Sequence, residues 1–445
     1  MFLNNFLFSK QMKNIALINL PSPFLINERV FPNLGLIQLA TSQIKRGYNA
    51  EIIDLCGSKD LVGDLEKIAS NFDIFGMSST TPQFVEAYKV NNILKKLNPA
   101  AKTILGGAHP SALYSLVKLG KTSDINLKTL ENFDNIVVGE AENLNLTDLK
   151  EKWTVAPLIK EISEEPIPNR NLVDIMSYNY FLKGKPTTTI MTQRGCPFKC
   201  DFCCGREIDM YRKSRQKSAK MVLDELDYLN SEFGFDSFMW FDDELNVNKN
   251  HLFELSKKLK HRNYQHRGFV RSDLVVKHPE TLDFLGESGF VELCSGVESG
   301  SERVLKRIQK GTTPEINSRA AELIMDAGFD YKAFTIIGHP SETYDELMKT
   351  MNWIKDTKPH GFDISILTPY PGSRIYDHSQ DSIKYAGYNR EWNGLYFKEV
   401  DYSSASSFYK GKPGEYSCNV RTDELSSEDL IQLRDKFESE LKNYN

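Results

Sequence analysis

A rhythm constrains this chain more than any single motif. Short apolar runs alternate with segments of helical periodicity, in two successive trains. Between about residues 13 and 140 the runs are NIALINL, AEIIDL, FDIFGMSS, KTILGG and NIVVGE, mostly separated by helix-length sequence. In LGLIQLATSQIKRG, Leu36, Ile37, Ala40 and Ile44 fall close to one helical face and Gly47 supplies a stop. Strands apolar nearly throughout, set between helices, predict a parallel sheet covered on both faces. Residues 1–140 therefore read as a doubly wound, Rossmann-like α/β domain whose ligand edge is the carboxyl end of its strands.

The rhythm breaks over 141–185, where EEPIPNRNLVD is polar and proline-bearing and reads as a linker. It resumes with TTTIMTQ, DSFMWF, RGFVR, VELCSG, YKAFTIIG and FDISIL. Between the first two lies SAKMVLDELDYLNSEFG, with Met221, Val222, Glu225, Leu226 and Leu229 marking an inner face and its flank. Six βα units fall short of a closed eight-stranded barrel, so residues 186–380 predict an open, partial (β/α)6 barrel with its chemistry at the strand ends. Residues 381–445 are rich in tyrosine and glycine, then close on an amphipathic helix behind a Ser-Glu cap signal. They predict a small α+β extension that could serve as a substrate lid.

A chain of 445 residues is too long for one ordinary core. A hydrophobic share of 40% and a charged share of 26% are those of a soluble globular protein. A net charge of −5 argues against nucleic acid as partner, and no apolar run is long enough to span a bilayer. The opening MFLNNFLFSKQMK has no basic region before its apolar stretch, so it reads as an extension rather than a signal peptide. Of the seven cysteines, Cys56, Cys294 and Cys418 are scattered. An odd count without a framework suits a reducing cytoplasm.

The other four crowd into RGCPFKCDFCCG, just past the first strand of the second train. Cys196, Cys200 and Cys203 are spaced C-x3-C-x2-C. Zinc ribbons use paired C-x2-C knuckles with four ligands, and a second knuckle is absent. Three close thiolates on a loop suit a 4Fe–4S cluster with three irons held by protein and the fourth open. Adjacent Cys204 is expected to diverge from it. Buried or zinc-binding thiols are the plainer alternative.

This loop, with aromatic Phe202 before its last cysteine, resembles that of the radical S-adenosylmethionine (SAM) superfamily. RGCPFKCDFC in full is close to the form seen in the branch with an amino-terminal cobalamin-binding domain. The resemblance covers about 13–380. It implies that the open iron chelates the amino and carboxylate groups of SAM. One electron then yields methionine and a 5′-deoxyadenosyl radical, which takes hydrogen from an unactivated carbon. SAM contacts would come from Phe202, from Asp242 in FMWFDDELNV, from Arg271 in RSDL, and from Ser295, Glu298 and Ser299 in CSGVESGSERVLKRIQKGTT. Helix capping is the alternative for Asp242 and its neighbour Asp243. His339 in IIGHPSET and Tyr370 in LTPYPGSRIYD either face substrate or pack.

In the first train, GMSSTT and LGGAHPSAL resemble cobalamin-binding loops. Ser78, Ser79, Gly106 and Gly107 would surround the corrin and its nucleotide tail, the glycines allowing close approach. The D-x-H-x-x-G motif that supplies a histidine to cobalt is absent. The resemblance thus implies a cobalamin-dependent radical SAM enzyme that methylates an unactivated carbon of a small-molecule or natural-product substrate. Its electron would come from a donor such as flavodoxin or ferredoxin. A radical SAM enzyme of non-methylating rearrangement, cyclisation or oxidation is the alternative. A non-catalytic iron–sulfur or corrinoid sensor is a third reading. Methylthiotransferases fit less well, because their amino-terminal domain carries three further cysteines and here there is only Cys56. No motif specifies the substrate or names a catalytic side chain.

Overall fold

A computed structural model describes residues 13–406 and 416–442. The opening stretch 1–12 lies outside the described residues. The first train folds into strands β1 (Asn14–Asn19), β2 (Asn49–Asp54), β3 (Ile74–Ser78), β4 (Lys102–Gly106) and β5 (Asn135–Val138). Helices α1 (Leu34–Lys45), α2 (Leu61–Ile68), α3 (Phe84–Leu97), α4 (Ala108–Lys118) and the short α5 (Ile125–Thr129) connect them. The strands are parallel; β1, β3, β4 and β5 are largely buried, as two-sided cover requires, while β2 at the sheet edge is mostly open. The sheet order is β2-β1-β3-β4-β5-β6. Chain direction across the sheet reverses between β1 and β3, and a crevice opens at such a switch point.

The sixth strand corrects the boundary at 140. β6 (Trp153–Val155) comes from the segment read as a linker and pairs with β5 through Ile136↔Trp153, Val137↔Thr154 and Val138↔Val155. Three residues are too few to show periodicity. The rest of 141–185 runs as short turns along both halves, ending in the hairpin β7 (Phe181–Leu182) and β8 (Lys185–Pro186). Within it Arg170 is fully buried, its Nη2 2.9 Å from Glu225 Oε1. Lys217 Nζ lies 2.6 Å from the other oxygen of Glu225. That explains an acid on the inner flank of α6 (Ala219–Phe233). The helix starts where Ser218 accepts from Met221 N and stops at left-handed Gly234, φ 76°.

The second train gives β9 (Thr188–Ile190), the two-residue strands β10 (Gln193–Arg194) and β11 (Arg215–Gln216), then β12 (Ser237–Trp240), β13 (Gln265–Phe269), β14 (Phe290–Glu298), β15 (Asp330–Ile337) and β16 (Gly361–Ile366). The order β16-β15-β14-β13-β12-β9 is all parallel and open at both ends, the partial barrel expected. The tail adds a four-stranded antiparallel sheet and the helix Ser427–Lys442. That helix covers β16 with Leu430, Phe437 and Leu441, while Arg434 Nε donates to Ile364 O. Asn126 of α5 donates to Val400 O and accepts from Tyr402 N, so the tail braces both halves. Residues 407–415, within the span read as a lid, lie outside the described residues. Among the described residues no helix is long and apolar enough to cross a membrane.

Candidate active site

The cysteine loop hangs on a stem. β10 and β11 pair antiparallel, with Arg194 opposite Arg215, and residues 195–214 form the loop between them. Two acids fix its root. Asp242 Oδ1 accepts from Thr192 N (2.6 Å) and Gln193 N (2.9 Å), and its Oδ2 accepts from the Thr192 hydroxyl. Asp243 Oδ2 accepts from Gly195 N at 2.6 Å. Gly195 has φ 88°, and a Cβ there would lie 2.2 Å from Lys213 O. Both oxygens of Asp242, expected to contact SAM, are thus engaged with the root of the loop. Asp242 caps no helix. Burial pushes its carboxyl up to about 6 in spite of those donors.

Cys196, Cys200, Cys203 and Cys204 all line one cavity of about 620 Å³. Cys204, expected to diverge, opens onto the same space. The opposite wall is the carboxyl edge of the first sheet, with Gly76, Met77, Ser78, Gly106 and Gly107. From there the cavity runs inward between sheet and α1 along Leu17, Leu34, Leu39, Ile104, Val137 and Leu146, an apolar slot. Ser79 is the exception among the four residues expected here. It is buried at 1% exposure beneath the turn, with its N donating to Gly106 O and its O accepting from His109 N. Thr80 lines the cavity in its place. His109 is fully buried against Phe84, and burial drives its pKa down to about 3.

The two glycines play different parts. Gly107 has φ 95°, and a Cβ would lie 2.7 Å from Ser78 Oγ and 2.8 Å from both Ser79 N and Ser79 O. It is required by the crossing of two loops. A Cβ on Gly106 would meet nothing closer than 3.9 Å. Gly106 leaves room in the cavity itself.

Two features of the cysteines bear on what they hold. Among the described residues no group of three His, Cys, Asp or Glu side chains is disposed to hold a single metal ion. Burial raises the Cys196 thiol to about 11, with the neighbouring Cys200 sulfur adding to the shift.

Glu298 ends β14 at φ 64°, a left-handed conformation rare for a residue with a side chain and typical of functional sites. It is buried, its Oε1 2.8 Å from Lys310 Nζ. Gly296 makes room for this pair, since a Cβ there would lie 2.2 Å from Glu298 Oε1 and 2.9 Å from Lys310 Nζ. Glu244 stands nearby with a buried, unpartnered Oε2. Burial pushes it up to about 7, although Lys310 and Arg271 pull the other way. Lys310 and Glu244 escaped the sequence reading. Glu244 is the third acid of FDDE, and the two before it drew attention from it.

The other expected SAM contacts are placed differently. Alternation along β14 sends Leu293, Ser295 and Val297 to the helix-covered side, where Ser295 Oγ lies 2.6 Å from Tyr331 OH. Ser299 is fully buried, with its hydroxyl shared between Thr350 and Ser301 N. Arg271 has its Nε on Asp273 Oδ1 (2.8 Å) and its Nη2 on Lys310 O (2.6 Å). Its guanidinium lies 3.6 Å over the Phe198 ring and its Nη1 4.0 Å from Cys200 Sγ. It braces the cysteine loop and has little left for a SAM carboxylate. Phe202 is half-buried and edge-on to His339 at 6.2 Å; like Glu244, Glu298 and Lys310, it does not itself line the cavity. His339 is fully buried, and Tyr370 packs beside Tyr402.

With this geometry in view, residues 190–354 match the radical SAM superfamily and residues 28–144 match the B12 binding domain. The chain carries a radical SAM domain behind an amino-terminal B12 binding domain. It is 28% identical over 373 residues to the uncharacterized methyltransferase PH0819 of Pyrococcus horikoshii, covering 78% of each chain. It is 26% identical over 368 residues to the anaerobic magnesium-protoporphyrin IX monomethyl ester cyclase of Rubrivivax gelatinosus, covering 76% of this chain and 64% of that one. Among solved structures it resembles the radical SAM methyltransferase TsrM of Kitasatospora setae, with TM-score 0.64, 14% identity, and coverage of 88% of this chain and 81% of that one. That structure holds cobalamin and a 4Fe–4S cluster. A radical SAM enzyme uses that cluster and SAM, acts on small molecules and needs a reductant, and the B12 binding domain adds cobalamin.

Proposed function

We propose that this radical SAM enzyme is a cobalamin-dependent methyltransferase acting on an unactivated carbon of a small molecule. The observation that carries the reading is the shared cavity. The cysteine loop forms one wall and the strand ends of the B12 domain form the other, so a radical and a methyl group can be delivered to one carbon. Cys196, Cys200 and Cys203 would hold the cluster. Glu298, Lys310 and Glu244 would receive the polar groups of SAM, a buried acid–base–acid set suited to an ammonium and a carboxylate. Ser78, Gly106 and the apolar slot would receive cobalamin, with no histidine motif for the metal. When bound, cluster and SAM supply the 5′-deoxyadenosyl radical and cobalamin supplies the methyl group, the protein orienting them and excluding water. A flavodoxin- or ferredoxin-like donor in a reducing cytoplasm would deliver the electron.

The test is product analysis after anaerobic reduction with SAM. Methyl transfer releases both 5′-deoxyadenosine and S-adenosylhomocysteine. Release of 5′-deoxyadenosine alone would turn the reading toward non-methylating chemistry, of which the cyclase relative is an example by name. Release of neither would leave a non-catalytic sensor.

A further inference from the structure

Four buried charges join the two walls of the cavity. Glu140 and Glu142 follow β5 in the B12 domain, while Arg194 and Arg215 face each other across the stem of the cysteine loop. Glu140 grips Arg215 with both oxygens, Oε2 to Nη1 at 2.7 Å and Oε1 to Nη2 at 2.8 Å. Glu142 Oε1 lies 2.8 Å from Arg194 Nη1, and Glu140 Oε1 lies 3.6 Å from the same nitrogen. All four side chains are 8–16% exposed and line the cavity. Arg194 stands two residues before Cys196.

A planar, bidentate pair fixes direction as well as distance. Burial makes a half-broken pair expensive, so the stem and the end of β5 keep one relation to each other. Away from the cavity the B12 domain is also held at Ser379 and the tail, by Asp124 with Arg390 (3.0 Å), Lys121 Nζ with Ser379 O (3.3 Å) and Asn126 with Val400 and Tyr402. What the four charges add is position, at the point where spacing bears on the chemistry.

We propose that Glu140, through Arg215, is a positioning residue that sets the spacing between the cysteine loop and the corrin site. This rests on the reading that both groups bind at the two walls. The test uses the full chain, anaerobically reconstituted with iron and sulfide, loaded with hydroxocobalamin, and reduced so that cluster and cob(II)alamin are both paramagnetic. EPR then reads the magnetic interaction between them. Wild type should give one well-defined interaction. Glu140→Gln should lose it, with iron and corrinoid content unchanged. Arg215→Lys, which keeps the charge and removes the fork, should behave as Glu140→Gln does, and carries the test if that variant does not fold. An unaltered interaction in Glu140→Gln or Arg215→Lys at full occupancy of both groups overturns the proposal. A wild type that holds the cluster but no corrinoid overturns the cobalamin reading, and this proposal with it.

Discussion

Gly106 and Gly107 are adjacent, but alanine should affect them oppositely. At Gly107, φ 95° alone costs a residue with a side chain about 1–3 kcal/mol. A new Cβ at 2.7–2.8 Å from Ser78 Oγ and the Ser79 backbone adds overpacking of about 1–3 kcal/mol, because backbone atoms yield little. Gly107→Ala should therefore lose roughly 2–6 kcal/mol, a large part of ordinary domain stability. At about 2–4 °C per kcal/mol, the melting temperature should fall by roughly 4–24 °C. Gly106→Ala meets nothing within 3.9 Å and should stay within about 0.5 kcal/mol of wild type. Gly106→Leu should also fold, but its isobutyl group would enter the cavity and exclude cobalamin. The assay pairs thermal melts by circular dichroism with the corrinoid spectrum that survives desalting. A Gly107→Ala protein as stable as wild type would refute the account of the loop crossing. A Gly106→Leu protein that retains stoichiometric cobalamin would refute the placement of the corrin.

Three further outcomes are expected. Alanine at Cys196, Cys200 or Cys203 should abolish bound iron after anaerobic reconstitution and with it SAM cleavage, whereas Cys204→Ala should retain about four irons per chain; iron and sulfide analysis decides. Glu298→Gln should weaken SAM binding by about 1.5–3 kcal/mol, the range for a charge-assisted hydrogen bond, as read by equilibrium dialysis. Glu342 is pushed up to about 8 by burial, despite donors from Gly338 N and His339 N. A raised carboxyl favours the folded state below its ordinary pKa, and that stability is lost as pH rises toward 8. Glu342→Gln should accordingly flatten the loss of stability between about pH 5 and 8 in denaturant titrations, and an unchanged slope would count against the burial account.

Periodicity made the architecture readable. Continuous apolar strands can only be two-sided, and six of them after the linker cannot close a barrel. β6 was not readable, because pairing with β5 depends on a partner distant in sequence rather than on anything in WTV itself. For the site, spacing exposed the cysteines and glycines marked strand ends. Orientation was harder. Ser295 and Glu298 share one short motif, yet strand alternation sends Ser295 to the helix-covered side and the left-handed turn brings Glu298 to Lys310. Asp242 and Glu244 are two residues apart, and only the course of the chain at Thr192 and Gln193 shows that the first is a clamp. Nothing local to Arg194 or Arg215 announces that they meet Glu140 and Glu142.

The sixth strand also bears on where this protein can be cut. A fragment ending at residue 140 would strip β6 from β5 and leave a bare sheet edge, with unpaired backbone donors and acceptors along Ile136, Val137 and Val138. Such an edge is a template for pairing with another copy, so the fragment should associate or precipitate. A fragment carried past Ala156, whose N–H donates to Val138 O, keeps that edge covered and should stay monomeric under the same conditions.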